Sequence, residues 1–307
     1  MSPSTKAHIA VLFTNIFFAA NYSLLKMVSP NPVGPFAINV VRVGVSLVLF
    51  WVIWLFGKTD AGIKRQDIGK FLMCGLMGIA INQMFFVTGL TMTTTIHAAL
   101  LILLSPIIIT IFALWVLKER FTFYKAIGLS LGIGGSVFLI LQKESGQHAP
   151  NYLLGDLFIL VNAFSYSIYF IMVKPLMERY SPLHVIRWVF TIGFFMILPF
   201  SWNQTAAVDW AGLRLEQYGI LVAVSVFGTF LAYYFNIYGI QNIGAGATGT
   251  YIYTQPIFVV IIAAFLVGET FTWQKFVAGL LIFAGVFLVS YKNGRNKKLA
   301  VPPIASR

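Results

Sequence analysis

The octets "KERFTFYK" at residues 118–125 and "GETFTWQK" at residues 268–275 stand 150 positions apart, and both read Glu-x-Phe-Thr-x-x-Lys. Each follows a long apolar run and precedes another. The register extends beyond them without a gap: Gly69 pairs with Gly219, Gly78 with Gly228, Phe85 with Phe235, Gly89 with Gly239, Pro106 with Pro256 and Gly135 with Gly285. Upstream, "NYSLLK" ending at Lys26 resembles "YFIMVK" ending at Lys174, and Arg42 resembles Arg187. Chance likeness among apolar helices does not keep a proline, a glutamate and several glycines in one register. The chain reads as two halves, about 1–146 and 147–292, followed by a basic tail at 293–307.

Composition sets the solvent. Of 307 residues 59% are hydrophobic and 10% charged, with mean hydropathy +0.85, where soluble domains have about 25% charged residues. Ten apolar runs, near 8–28, 36–56, 69–89, 96–117, 126–142, 153–173, 184–201, 218–240, 247–267 and 275–291, are each close to the ~20 residues that span a ~30 Å hydrocarbon core. None shows the alternation of a membrane barrel. The expected fold class is an all-α membrane protein with ten transmembrane helices in two five-helix repeats. The first run could pass for a signal peptide, but Asn15, Asn21 and Tyr22 are foreign to such a segment. Cys74 is the single cysteine, so no intrachain disulfide forms.

The net charge of +12 has a distribution that speaks of topology rather than nucleic acid. With ten helices and a cytoplasmic N-terminus, sixteen Lys and Arg fall on the inner side and five (Lys26, Arg42, Lys143, Arg214 and Lys275) on the outer. This bias orients helices during insertion and puts both termini in the cytoplasm, in the inner (plasma) membrane. Glu119 then closes helix 4 inside while Glu269 closes helix 9 outside. One motif on both membrane faces is what an inverted repeat with an odd helix number produces.

The second half, with Gly155-Asp156 opening helix 6, Pro256 in helix 9, Gly268-Glu269, and Gly279 with Gly285 in helix 10, resembles the EamA domain of the drug/metabolite transporter superfamily. The first half repeats the pattern with Pro106, Glu119, Gly128, Gly132 and Gly135, departing at Lys118, where the family usually has Gly. The resemblance covers nearly the whole chain. It implies a secondary transporter working by alternating access, with a cavity lined by helices 1, 3, 4, 6, 8 and 9. It leaves the substrate among amino acids, sugars, nucleotide sugars and drugs.

Polar stripes at helical spacing supply candidate substrate-binding residues: Asn15 and Tyr22 on helix 1; Asn82 on helix 3; Asn162, Tyr166 and Tyr169 on helix 6; Tyr233 and Asn236 on helix 8; Tyr251 and Gln255 on helix 9. Facing lipid they are expensive, so they turn inward, as wall or as glue between helices. His97, near the outer end of helix 4, is a packing residue or a proton relay. Pro106 and Pro256 are candidate kinks and hinges. Glu119 and Glu269 read as structural, binding nearby amides or Lys125 and Lys275. Lys26, Arg42, Lys174 and Arg187 lie where they can line a path for an anionic substrate or snorkel to the interface.

Enzyme signatures are weak. "GLSLG" at 128–132 matches a nucleophile elbow, yet Ser130 falls mid-helix rather than on a strand–turn–helix corner. Gly128, Gly132 and Ser136 there form a small-residue ridge for close packing. Zinc and P-loop motifs do not occur. A transporter of small polar or aromatic metabolites, exporting amino acids first of all, is expected; no metal or cofactor is, and the partners are a small-molecule substrate and the bilayer, not nucleic acid. An intramembrane or lipid-modifying enzyme is the alternative from another class.

The charge bias makes a topological prediction. In a Cys74→Ala background, cysteines at Gly146 and Thr205 react with an impermeant thiol reagent added to intact cells, and one at Gly62 does not. Labelling at Gly62 overturns the assignment.

Overall fold

The computed structural model describes residues 2–56, 62–105, 107–108, 111–112, 123–141 and 151–290, and among them it is entirely helical, without a strand. Helix α1 is Pro3–Val28 and α2 is Pro35–Leu55. Ser2 caps α1 through its hydroxyl, and a proline opens each of the two helices, where a missing N–H is harmless. Helix α3 is composite, with α-helical Ile68–Gly75, a π-helical stretch Leu76–Ile81 and α-helical Asn82–Met92. Helix α4 begins as Thr95–Ile102, and α5 is Phe123–Leu141. Helix α6 is Tyr152–Met177 and α7 is Pro182–Ala206. Helix α8 is composite like α3, joining Leu215–Ser225, π-helical Val226–Leu231 and Ala232–Thr250. Helix α9 starts with the 3₁₀ turn Tyr251–Thr254 and continues as Gln255–Val267; α10 is Trp273–Ser290.

Six of these helices are long and apolar enough to cross a membrane: α1, α2, α3, α6, α7 and α8. Three shorter apolar helices, Ala126–Leu141, Tyr251–Val267 and Trp273–Leu288, follow the runs expected there. The polar loops cut the runs where the sequence breaks them, and large apolar side chains such as Phe195, Phe265 and Leu280 stand exposed on the outside. In water such a surface would aggregate; in hydrocarbon it is the ordinary exterior.

Packing pairs the two halves. Helix α1 lies on α8 and α9, and α6 lies on α3 and α4. Helices α2 and α7 pack on each other, and so do α5 and α10. The π-helical stretches at 76–81 and 226–231 stand 150 positions apart, the offset of the octets. A π turn shifts the helical ladder and re-aims the side chains around it. Each carries one glycine under a partner: a Cβ on Gly78 would meet the Tyr169 ring at 2.5 Å, and one on Gly228 would meet the Asn21 amide at 2.5 Å. Asn21 and Tyr169 themselves fall at matching places in "NYSLLK" and "YFIMVK".

The small-residue ridge of α5 packs backbone to backbone on α10. A Cβ on Gly285 would lie 2.5 Å from the Gly132 nitrogen and 2.6 Å from the Gly128 oxygen. Main chain cannot move aside as a side-chain end can. Gly285→Val is therefore expected to lower the melting temperature of the purified protein, by about 1–3 kcal/mol of overpacking. A wild-type melt would show that the ridge does not set the α5–α10 distance.

Candidate functional site

A cavity of about 670 Å³ lies within the bundle, walled by α1, α2, α3, α4, α6, α7, α8 and α9. Eight residues expected from the stripes line it: Tyr22, Asn82, Asn162, Tyr166, Tyr169, Tyr233, Asn236 and Gln255. Among the described residues, α5 and α10 contribute nothing to the wall. The rest is largely apolar and aromatic, including Phe18, Phe86, Phe170, Val173 and Ile252, and it reaches the exposed Glu178 beyond the end of α6. A mostly apolar cavity with few polar groups is the usual form of a small-molecule site.

The polar members divide by what their hydrogen bonds already do. Asn82 Nδ2 donates to the Asn162 carbonyl at 3.3 Å, and Asn162 Nδ2 donates to the Asn82 carbonyl at 2.8 Å. The two amides thus staple α3 to α6. Gln83 Nε2 donates to Asn82 Oδ1 and to the Tyr233 hydroxyl, both at 3.2 Å, carrying the link to α8. By contrast, Asn236 and Gln255 line the cavity and make no side-chain hydrogen bond among the described residues. The aromatic members hold one another edge to face: Tyr22 on Phe86 with centroids 5.1 Å apart, and Phe18 on Tyr233 at 5.8 Å.

Three expected residues lie elsewhere. Asn15 Nδ2 bonds back to the Val11 carbonyl of its own helix at 2.8 Å. Tyr251 meets His8 Nδ1 through its hydroxyl at 2.8 Å, outside the wall. His97 is fully buried, with Nδ1 3.0 Å from Asp156 Oδ2, while Thr93 donates its hydroxyl to the other carboxylate oxygen. The sequence offered His97 without a partner; Asp156, at the start of α6, supplies it. Pro256 is the second residue of the α-helical part of α9 and not an interior kink, so it removes no hydrogen bond that the helix would make. Pro106 and Glu119, the first half's hinge and motif candidates, lie outside the described residues.

Glu269 has a defined task. Its Oε1 accepts from the Thr95 amide at 2.7 Å, its Oε2 from the Ile96 amide at 3.0 Å, and Lys26 Nζ reaches Oε1 at 3.2 Å. An anionic carboxylate thereby satisfies the first free N–H groups of α4 and complements its dipole. The expected cation, Lys275, instead donates to the Thr270 carbonyl at 2.9 Å. The chain reaches this position because Gly268 ends α9 with φ 66°, a left-handed conformation that glycine adopts freely. His97–Asp156 joins α4 to α6 one residue beyond these amides.

Path lining and snorkelling were both open for Arg42 and Arg187 in the sequence, and the structure buries them. Arg42 and Arg187 do not snorkel: they are 2% and 1% exposed. Arg42 lines the cavity, whereas Arg187 lies with its guanidinium 4.6 Å from each of the Trp51 and Trp54 rings. Only their repeated spacing relative to the octets hinted at paired interior roles. Ser130, of the elbow-like "GLSLG", is exposed on α5 and forms no part of the wall.

The geometry belongs to a family. The EamA-like transporter family matches residues 5–141 and 153–291, so the chain is a member of it, carrying the family domain twice. The transporter YetK of Bacillus subtilis, named only as uncharacterized, is 23% identical over 81% of this chain and 76% of its own length. An uncharacterized transporter of Archaeoglobus fulgidus is 24% identical over 94% of this chain and its whole length. A solved crystal structure of a protein at 17% identity superposes with a TM-score of 0.59, covering 94% of this chain and 96% of that one. Family and relatives together make the chain a membrane transporter and point away from an enzyme.

The Lys26–Glu269 pair generates a test. Glu269→Gln and Lys26→Met are each expected to lower the melting temperature. Their combination should lose less than the sum, with a coupling of about 0.5–3 kcal/mol. Strict additivity would mean that the pair does not interact.

Proposed function

We propose that this transporter is a secondary carrier whose substrate path is the 670 Å³ cavity between two inverted five-helix repeats, residues 1–146 and 147–292. The tail at 293–307 then lies with the N-terminus in the cytoplasm, and the polar cluster around Glu269 is the closed outer gate. On this reading the conformation is inward-facing, and opening the Lys26–Glu269 and His97–Asp156 contacts while closing the Glu178 end exposes the cavity to the other side. The two π turns, whose backbone ladders are already displaced, and Pro256, where the 3₁₀ turn of α9 gives way to α-helix, are the places where the helices yield.

The carried solute is a small polar or aromatic metabolite, with amino acids first and export the direction. The observation that carries the reading is the pair of unengaged amides, Asn236 and Gln255, in a wall of aromatic rings. An amide both donates and accepts, and a tyrosine gives a flat face with one hydroxyl. Sugars, nucleotide sugars and drugs are the competing substrates, and the same measurement separates them.

Purified protein is screened for ligand stabilisation with amino acids, sugars and nucleotides, and the strongest ligand is titrated against variants. Asn236→Ala and Gln255→Ala are expected to melt near wild type while losing roughly 5- to 150-fold in affinity, the worth of about 1–3 kcal/mol of hydrogen bonding. Asn82→Ala is expected to melt earlier, because it is a staple, and Ser130→Ala to change neither. If Asn236→Ala and Gln255→Ala keep full affinity, this cavity is not the binding site.

A further inference from the structure

Arg42 is the one cation in the cavity wall among the described residues, and its charge is not balanced there. The side chain is 2% exposed. Its Nε donates to Thr229 Oγ1 at 3.1 Å, and its Nη1 has no hydrogen-bond partner. The ion pairs among the described residues join Lys26 to Glu269, His97 to Asp156 and Arg179 to Asp67; none includes Arg42. Among the described residues the only acid in the wall is Glu178, which is exposed. A buried charge without a counter-charge is strongly unfavourable, and inside a membrane it marks a function.

The matching arginine is held differently. Arg187 lies against Trp51 and Trp54 at 4.6 Å each, and its Nη2 is 3.3 Å from His184 Nδ1. Two indole faces disperse its charge. The π turns explain the divergence. Position 229 of the second turn is Thr, whose hydroxyl holds Arg42 Nε; 150 positions earlier, the first turn has Ile79, which offers Arg187 nothing. One arginine is absorbed into an aromatic clamp, while the other is steered by one bond and left incomplete at the cavity.

Other wall atoms are incomplete too. Asn21 Oδ1, Gln83 Oε1 and Ser105 Oγ are buried without a hydrogen-bond partner, and all three residues line the same cavity. Buried polar groups are seldom left so, and these face the same cavity wall as the Arg42 guanidinium.

We propose that Arg42 is the specificity-determining residue of the cavity and recognises a carboxylate, so that the substrates are small monocarboxylates with a flat apolar or aromatic body. This rests on the carrier reading above and names the group that the site selects. The guanidinium fork matches a carboxylate in two-point geometry. The body lies among Phe18, Tyr22, Phe86 and Tyr166, and the Asn21 and Gln83 carbonyl oxygens accept from any donor that it carries. A phosphate monoester fits less well, because about −1.5 to −2 charges meet a single cation.

The test compares matched acids and amides on purified protein: 3-phenylpropionate with 3-phenylpropionamide, L-phenylalanine with L-phenylalaninamide, and phenyl phosphate as the phosphate arm. Stabilisation of melting is titrated for wild type, Arg42→Gln and Arg42→Lys. For wild type at least one acid is expected to act at concentrations tenfold or more below its amide and below phenyl phosphate. Arg42→Gln should erase that preference without melting earlier when ligand-free, and Arg42→Lys, which keeps the charge but not the fork, should reduce it. If Arg42→Gln is not recovered folded, Arg42→Lys decides: an undiminished preference overturns the proposal. So do acids that act no better than amides in wild type, a panel in which no acid acts, a stronger response to phenyl phosphate, and an Arg42→Gln protein that keeps the preference. Acids and amides that bind alike yet are lost in Gln255→Ala leave the carrier reading standing and remove only Arg42's role; acids lost in Arg42→Gln but untouched by Asn236→Ala and Gln255→Ala do the reverse.

Discussion

The grip of Glu269 on the first amides of α4 is the contact on which the arrangement around the cavity depends. A helix that starts inside a membrane protein has free N–H groups and no water to satisfy them. Here the acceptor comes from a distant part of the sequence, 174 residues from Thr95. That choice ties the end of α9 to the start of α4, and Lys26 adds the end of α1. Three wall helices are thus fixed by one carboxylate. Gly268 is required because the chain must reverse within a residue to bring Glu269 back, and φ 66° is open to glycine at little expense.

The π turns are the second constraint, and they act on the middle of the wall rather than its end. By displacing the ladder of α3 and α8, they seat Tyr169 over Gly78 and Asn21 over Gly228. Both partners line the cavity. A side chain on either glycine would push the opposing helix outward, so the width of the cavity and the identity of two of its residues are linked through a missing methyl group. The second turn also places Thr229, which accepts from Arg42 while donating its own hydroxyl to the Val224 carbonyl. The π turn and the cavity-lining arginine thus share one hydroxyl.

Much of this was legible because membrane helices obey two simple rules. Apolar runs of the right length locate the helices, and polar residues at i, i+3 and i+4 locate inward faces; those rules brought Tyr22, Asn82, Tyr166, Tyr233 and Gln255 to one cavity. They failed where a polar residue could satisfy itself locally. Asn15 turns back on its own helix at Val11, and Tyr251 finds His8 at the periphery, with spacing identical to that of the residues inside. Long-range partners were invisible for the same reason: His97 and Asp156 are 59 positions apart, and nothing local in either stretch announces the other. The π turns carry no periodic signal at all. Their trace was the glycine pair at positions 78 and 228, which reads equally well as ordinary close packing.

Glue and wall are therefore not separate residue classes but separate states of hydrogen bonding. Asn82 and Asn162 have the same chemistry as Asn236, yet their donors are consumed in joining α3 to α6. Asn236 and Gln255 keep theirs. The same division runs through the arginines, where Arg187 is enclosed by tryptophans and Arg42 is held by a single bond. A cavity buried in a membrane gains nothing from unsatisfied groups unless something arrives to complete them. On the proposed carrier reading, a solute that supplies the missing partners recovers the free energy that they forgo in the empty protein, and that difference lets a solute, rather than the lipid or water around it, shift the balance between the two faces of the membrane.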